Sequence, residues 1–270
     1  MSERQACRLL KLSRTVYRYK LKYKDSDINL RLLALSKLNP RYGSPRLTAL
    51  LRREGYKVNH KRIARLCRLG GLTLKRARKR KRIIREYPQR VVAIKPNMIW
   101  GMDFVTDKIK NGGRFRCLTI VDHYSRECPG IYVKRNLKSE DVIDFLETLE
   151  RERGLPQSLS LDNGSEFTSD KFIKWCLDRR IKIHFIQPGK PVQNPFIESF
   201  NGRFRDEFLN QRELRDIYEA QAKIENWREN YNTKRPHSAL NYRTPYEACS
   251  TNESGGINPK LSPQVVLKKG

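Results

Sequence analysis

The sequence has no apolar run long enough to cross a membrane, and its opening, Met1-Ser2-Glu3-Arg4, starts no secretion signal. A cytosolic protein with no membrane partner is expected. Six cysteines, at positions 7, 67, 117, 128, 176 and 249, have no Cys-x-x-Cys spacing. In that compartment they are not expected to be bridged, and they read as small buried hydrophobes. The four histidines, His60, His123, His184 and His237, are too dispersed for a zinc finger. There is no internal repeat, and no heptad array that would pair two copies through a coiled coil.

Acidic residues are scarce in the first third. Residues 1–95 hold 29 lysines and arginines against five acids, whereas residues 96–270 hold 28 against 24. The formal net charge of +28 therefore sits mainly at the N-terminal side and points to a polyanionic partner. A near-neutral second part fits a globular core, and 270 residues are enough for more than one domain. Lys75 to Arg85 carries eight cations and no acid. Charges so dense cannot pack together, so an exposed connector or a helix straightened by repulsion is expected. Against DNA the repulsion becomes an advantage, because each neutralised phosphate releases condensed counterions.

Two segments ahead of that cluster read as helix pairs. Glu3 to Leu10 forms an apolar-faced helix that Leu12 ends, and Ser13 caps a second carrying Arg14, Arg18 and Lys20. Pro45 to Arg53 forms a third, Glu54 to Val58 turns, and Asn59 caps a helix through Leu69 bearing Lys61, Arg62, Arg65 and Arg68. Ile63, Leu66 and Leu69 would face inward there. Both pairs fit helix-turn-helix units, and both also fit ordinary antiparallel helices with solvated cationic faces.

From Pro96 the pattern becomes mixed. Strands are expected over about 98–107 and 114–124 around the hairpin signal Asn111-Gly112-Gly113, with a third at Gly130 to Val133. A helix from Asp141 to Arg153 follows, with Ser139 as its N-cap and Gly154 beyond its end. Then come a strand ending at Asp162, a helix from Ser169 to Arg180, a strand at Lys182 to Ile186, a helix starting near Asn194-Pro195, and a last helix from Tyr218 to about Tyr231. That order is the order of a ribonuclease-H-like α/β core with a mixed five-stranded sheet and flanking helices. Phe196, Phe200, Phe204 and Phe208 would form the core stripe of the Asn194-Pro195 helix.

Three acids stand out in that core. Asp103 lies inside the apolar run Ile99 to Val105, where a charge needs a partner or a metal. Asp162 closes Leu159-Ser160-Leu161 and precedes the turn signal Asn163-Gly164. Glu198 lies two positions after Phe196, so it points well away from the phenylalanine stripe. Spacing alone is weak, since 29 acids in 270 residues supply by chance about three acid pairs at the Asp162–Glu198 separation.

Context carries more. The runs IWGMDFVTD, SLDNGSEF and NPFIESFNGRFRDEFLN resemble the catalytic core of retroviral-type integrases and insertion-sequence transposases, whose two Asp and one Glu have 35 residues between the last two, as here. The resemblance is to the B-frame transposase of the insertion-sequence-three family. It extends to Tyr231 to Leu240 and Thr244 to Ala248, and to Arg41-Tyr42-Gly43-Ser44-Pro45-Arg46, which opens a similar helix-turn-helix module.

The resemblance implies a DNA transposase, a polynucleotidyl transferase cutting and joining strands with divalent metal held by Asp103, Asp162 and Glu198. Mg²⁺, with Mn²⁺ as a substitute, suits such an oxygen donor set, with two ions per site and Asp103 bridging. DNA ends and target DNA are the expected partners, met by Arg14, Arg18, Lys61, Arg62, Arg65, Lys79, Arg80, Lys81, Arg82, Lys234 and Arg235. Family members of this type work as oligomers when fused to or assisted by an upstream A-frame product, in the bacterial cytoplasm at the nucleoid. The expected division is a helical DNA-binding region over 1–72, a basic linker over 73–95, the catalytic core over 96–248 and a tail over 249–270. Asn163, Asn194 and Asn201 either orient the acids or touch the DNA backbone, or merely cap and turn. Asp122 either neighbours the site or closes a strand end, and His237 joins Lys234 and Arg235 either in holding DNA or at a solvated helix end. Two other functions compete: a DNA-binding regulator with an inactive core, and a ribonuclease-H-like nuclease without strand transfer.

Overall fold

Most helices of the first unit, Met1–Thr73, start at residues suited to their place. Ser2 caps α1 (Glu3–Leu9) in a reciprocal box with Gln5: the Gln5 N–H donates to Ser2 Oγ and the Ser2 N–H to Gln5 Oε1. Ser13 caps α2 (Arg14–Tyr17) through the Val16 N–H. After α3 (Ser26–Leu38), α4 (Ser44–Arg53) carries Pro45 in its first turn, and Asn59 caps α5 (His60–Leu69) through the Lys61 N–H. Helix α3 is not legible in the sequence, because its leucines spread around the cylinder: Leu32 and Leu35 are buried while Leu30 and Leu38 face solvent. The inward face of α5 also differs from expectation. Leu69 is 76% exposed, and Cys67 takes its place beside Ile63 and Leu66. The helical period of 3.6 residues favours i, i+3, i+4 over three equal steps.

The computed structural model describes residues 2–18, 25–74, 92–110, 112–186 and 194–250. The cationic run from Lys75 to Arg85, with Lys79, Arg80, Lys81 and Arg82, lies outside the described residues, as do Asn111 and the stretch 251–270.

The second unit, Leu74–Gly270, is built on one mixed sheet. Strands β1 (Ile99–Lys108), β2 (Arg114–Asp122) and β3 (Ile131–Lys134) run antiparallel, and β4 (Ser158–Leu161) and β5 (Lys182–Phe185) add parallel to β1, giving the order β3-β2-β1-β4-β5. Helix α6 (Ser139–Arg153) joins β3 to β4, and α7 (Ser165–Thr168) and α8 (Asp170–Asp178) join β4 to β5. Then come α9 (Pro195–Glu207), α10 (Ile217–Thr233) and α11 (Pro245–Ser250). Lys138, not Ser139, is the N-cap of α6, with its N–H bonded to the Asp141 carboxylate. Gly154 ends that helix at φ +82°, a conformation glycine adopts freely. The helix expected over Ser169 to Arg180 is α8, which Ser169 caps through the Phe172 N–H; the short α7 just before it is not expected from the sequence.

Side chains alternate across a strand, and β1 uses both faces. Trp100 and Met102 pack with Leu118, Ile120, Val142, Leu146 and Phe172 on the α6–α8 side. Val105 packs with Cys117, Phe200, Phe204 and Phe208 on the α9–α10 side. Asp103, an even number of residues from Val105, therefore faces α9. The apolar stripe of α9 is Ile197, Phe200 and Phe204, continued by Phe208; Phe196 is only half-buried, and the Arg126 guanidinium stands 3.5 Å from its ring centre.

The end of α10 and the segment after it are tied into the core. Asn232 accepts from the Cys128 N–H and donates to the Cys128 carbonyl, both at 2.9 Å. Arg235, expected at a DNA-facing surface, is instead 3% exposed and forms a two-pronged ion pair with Glu207, itself 8% exposed, at 2.7 and 2.6 Å. A guanidinium so enclosed cannot reach a phosphate. His237 is also buried, edge-on to Tyr231. Replacing Arg235 with Ala strands the Glu207 charge in the core and is expected to cost roughly 3–5 kcal/mol, seen as a lower melting temperature. The paired change Arg235→Met with Glu207→Leu should recover most of that loss. An unchanged melting temperature in Arg235→Ala, with weakened DNA binding, would contradict the internal role.

Candidate active site

Asp103 sits in the middle of β1, opposite Thr119 of β2. Its carboxylate is fixed on both oxygens: Oδ1 accepts from the Phe104 N–H at 2.7 Å and Oδ2 from Asn201 Nδ2 at 2.8 Å. Asn201 Oδ1 in turn lies 2.8 Å from Thr119 Oγ1, which is also 3.0 Å from the Asp103 carbonyl; the single hydroxyl proton serves one acceptor at a time. Burial pushes the Asp103 carboxyl above its ordinary range, the Phe104 N–H opposes that, and the Asp162 charge adds to it.

Asp162 reaches the same region by strand pairing. Gly101 of β1 faces Ser160 of β4, so the residue just past β4 emerges beside the middle of β1. Its Oδ1 accepts from the Gly164 N–H at 3.1 Å, closing a tight turn with the carboxylate exposed. The rest of that turn is anchored below the surface. Phe167 is buried and stacks on Phe104 at 5.0 Å, the Arg116 guanidinium lies 4.3 Å from the Phe104 ring centre, and Arg116 pairs with Glu166.

Glu198 stands exposed near the start of α9, its N–H bonded to the Asn194 carbonyl. Asn194 occupies the N-cap position without capping through its side chain; its Nδ2 donates to the Ser160 carbonyl at 3.2 Å and ties the helix start to β4. Helix and strand approach closely here, since a Cβ on Gly101 would lie 2.7 Å from His123 Nε2 and 2.9 Å from Asn194 Oδ1. Asn194 and Asn201 are seven residues apart, two helical turns, and so act from one face of α9. Asn201 holds an acid directly, whereas Asn194 ties the helix start to β4; Asn163 is exposed beside Asp162.

Asp103 and Asp162 are thus brought within electrostatic reach of each other, with Glu198 one turn before Asn201 on the adjoining helix. Among the described residues no three acidic, histidine or cysteine side chains close into a metal cage. Carboxylates repel one another, and an open spacing is the one that repulsion favours. Asp122 belongs elsewhere: buried at the end of β2, it accepts from the Asn97, Tyr124 and Ser125 N–H groups and closes the turn.

One neighbour was missed in the sequence. Arg205 is exposed, donates to the Thr106 carbonyl at 3.3 Å, and stands near enough to Asp103 to favour its charged form. Its signal was the position seven residues after Glu198, again two turns along one face.

The cationic residues expected to meet DNA are placed unevenly. Arg14, Lys61 and Lys234 are exposed. Arg18 pairs with Glu3 at 2.8 Å, and Arg62 and Arg65 both turn to Asp25. Arg235 is internal.

Residues 93–191 and 179–245 match two models described as integrase core domains, and residues 23–81 match an HTH-like domain. A 31.7 kDa protein of insertion element IS407 from Burkholderia multivorans, described as uncharacterized, is 41% identical over 268 residues, covering 98% of this chain and 97% of its own. The transposase for insertion sequence element IS904 of Lactococcus lactis is 29% identical over 218 residues, 76% of this chain and 86% of its own. Among solved structures, the simian T-cell lymphotropic virus intasome in complex with PP2A regulatory subunit B56 gamma aligns at a TM-score of 0.52 and 18% identity, over 88% of this chain and 80% of that one. The second unit is therefore an integrase core of ribonuclease-H-like fold. The chain belongs to the insertion-sequence-three family of transposases.

Asn201→Ala removes the donor to Asp103 and the acceptor facing Thr119. Leaving those buried atoms without partners is expected to cost about 1–3 kcal/mol of stability. DNA cleavage in Mg²⁺ should fall roughly 10–100-fold, because the Asp103 carboxylate loses the bond that fixes its direction. Thr119→Val keeps the Asn201–Asp103 bond and should spare most cleavage, so equal losses in the two variants would count against a positioning role.

Proposed function

We propose that this protein is a transposase that cleaves DNA strands and transfers them during transposition, with Asp103, Asp162 and Glu198 as the catalytic and metal-binding residues. One arrangement carries the reading: two carboxylates at adjoining strand positions, the half-buried one raised partly by its neighbour's charge and tied through Asn201 to the helix bearing Glu198. A set of hard oxygen donors of like charge fits Mg²⁺ or Mn²⁺, and two ions would match three acids. Bound there, divalent metal would activate the attacking oxygen and stabilise the leaving 3′ oxygen.

The chain's own groups do the rest. Asn201 holds the Asp103 carboxylate in one rotamer, the Gly164 N–H holds Asp162, and Asn194 fixes where α9 begins. Such fixed geometry aligns the attacking and leaving oxygens, and either water or a DNA 3′-hydroxyl can be the nucleophile. Arg205, exposed beside Asp103, is suited to hold the DNA backbone near the cut. The first unit supplies DNA binding with Arg14 and Lys61 on its surface, and the sequence of residues 73–95 adds further cationic charge. Pairing of two DNA ends calls for an oligomer, assisted by or fused to an A-frame product.

Asp103→Asn, Asp162→Asn and Glu198→Gln keep shape and remove charge. Each is expected to abolish nicking and joining of labelled element ends in Mg²⁺ while DNA binding persists. Each should also lose the metal-dependent rise in melting temperature that the parent shows. Full activity in Asp103→Asn would sink the assignment. Nicking without joining by the parent would favour a plain nuclease, and binding alone a regulator.

A further inference from the structure

Asp25 occupies the N-cap position of α3, where an aspartate ordinarily accepts a bond from an N–H of the first turn, yet its side chain makes no such bond. The carboxylate is turned to α5 instead. Oδ1 accepts from Arg62 Nε at 2.9 Å and from Arg62 Nη2, and Oδ2 accepts from Arg65 Nη2 at 3.1 Å. Both oxygens thus serve guanidiniums one turn apart on a single helix. Asp25 is 16% exposed, Arg62 28% and Arg65 40%, so the cluster lies at the rim of the unit. Part-exposed ion pairs contribute modestly to stability, more where they form a network as here. The core formed by Leu32, Leu35, Ile63 and Leu66 already joins α3 to α5.

Orientation is what the cluster provides. Helix α5 follows α4 across a turn, in a region that matches an HTH-like domain, and its Ile63, Leu66 and Cys67 are buried, leaving Lys61, Arg62, Arg65 and Arg68 on the other face. The second helix of such a unit enters the major groove and presents its first residues to base edges. Arginine reads guanine with its planar fork, both donors meeting O6 and N7. A loose arginine binds any phosphate and loses conformational freedom when it is fixed on a base. A carboxylate bridging two guanidiniums removes both problems: it sets the planes in advance and offsets one of the two charges.

We infer that Asp25 is a specificity-determining brace, holding Arg62 and Arg65 to read guanine-bearing base pairs in duplex DNA and withholding them from phosphates. The inference rests on the first unit being the DNA-reading part of the proposed transposase. Its test is binding alone, so a parent protein that fails to cleave would overturn the catalytic proposal and leave this one standing.

The experiment uses the full chain. A pool of duplexes with a randomised central stretch is taken through rounds of binding to the parent, and affinities are then compared for an enriched duplex and its scrambled counterpart at one salt concentration. Asp25→Asn is expected to bind the scrambled duplex more tightly and to lower the enriched-to-scrambled ratio about tenfold, or 1.4 kcal/mol. Its plot of log affinity against log salt should steepen by about 0.9 for each further phosphate that the released arginines neutralise. Arg62→Lys keeps charge without the fork, so it should lose guanine preference at one position while its scrambled-duplex affinity holds. An Asp25→Asn ratio and slope equal to the parent's, whatever happens to the melting temperature, would reduce the cluster to a helix clamp and overturn the inference. A parent pool that enriches no guanine, or an Arg62→Lys protein with the parent's preference, would overturn it equally.

Discussion

A carboxylate in the middle of a buried strand must be held, paired or protonated, and Asp103 imposes that constraint on everything around it. Isolated, a charge there would be expelled from the sheet or neutralised. The Phe104 N–H and the Asn201 amide make its ionised form tolerable without cancelling it, as a cation pairing directly would. Neutral donors leave the negative charge available to a ligand that brings positive charge, and they fix the direction in which it is offered. The Thr119 hydroxyl behind Asn201 passes that constraint to β2. Three elements thereby agree on one carboxylate rotamer.

Helix α9 meets that constraint because its two faces do different work. Ile197, Phe200 and Phe204 enter the layer shared with α10, where Trp227 and Tyr231 meet the Phe200 ring edge to face. Glu198, Asn201 and Arg205 point toward the sheet's acidic centre or to solvent beside it. The apolar face supplies the holding energy, at the rate of about 25 cal/mol for each Å² of apolar surface removed from water. The polar face supplies chemistry. Asn194 at the start and the buried Glu207–Arg235 pair at the end stop the helix from sliding, which the apolar contacts alone, being non-directional, would not do.

Much of this was legible in the sequence because it follows from period and punctuation. The alternation in β1, the caps Ser13 and Asn59, the turn after Asp162 and the acids themselves all stand at positions where local physics decides. The misreadings have a common cause. Helix α3, the exposure of Leu69 and the unforeseen short helix α7 depend on which side of an element finds a tertiary partner, and apolar residues on several sides give no period to read. Arg235 shows the same limit for charge. Its neighbours Lys234 and His237 make it look like part of a cationic helix end, but Glu207, 28 positions earlier, decides that it is internal. Arg62 and Arg65 were legible as outward-facing positions on α5, while their engagement with Asp25, about 40 positions away in sequence, was not.

The few acids of the first unit show how a strongly cationic protein can still be particular about its contacts. Glu3 pairs with Arg18, Glu54 with Arg31, and Asp25 with Arg62 and Arg65. Arg31 holds the Glu54 carboxyl below the usual carboxylate range, chiefly through its hydrogen bonds. With so large an excess of cations, these carboxylates cannot set the net charge of the unit; they set which guanidiniums have a fixed direction. Long-range attraction to a polyanion depends on the total and is screened within about 8–10 Å at physiological salt. Recognition depends on the few side chains whose planes are settled before contact. The same scarcity of acids that marks the N-terminal third as a partner for phosphates therefore makes each remaining carboxylate informative. In the catalytic unit, where acids are plentiful, the informative ones are those held by neutral donors rather than by arginine.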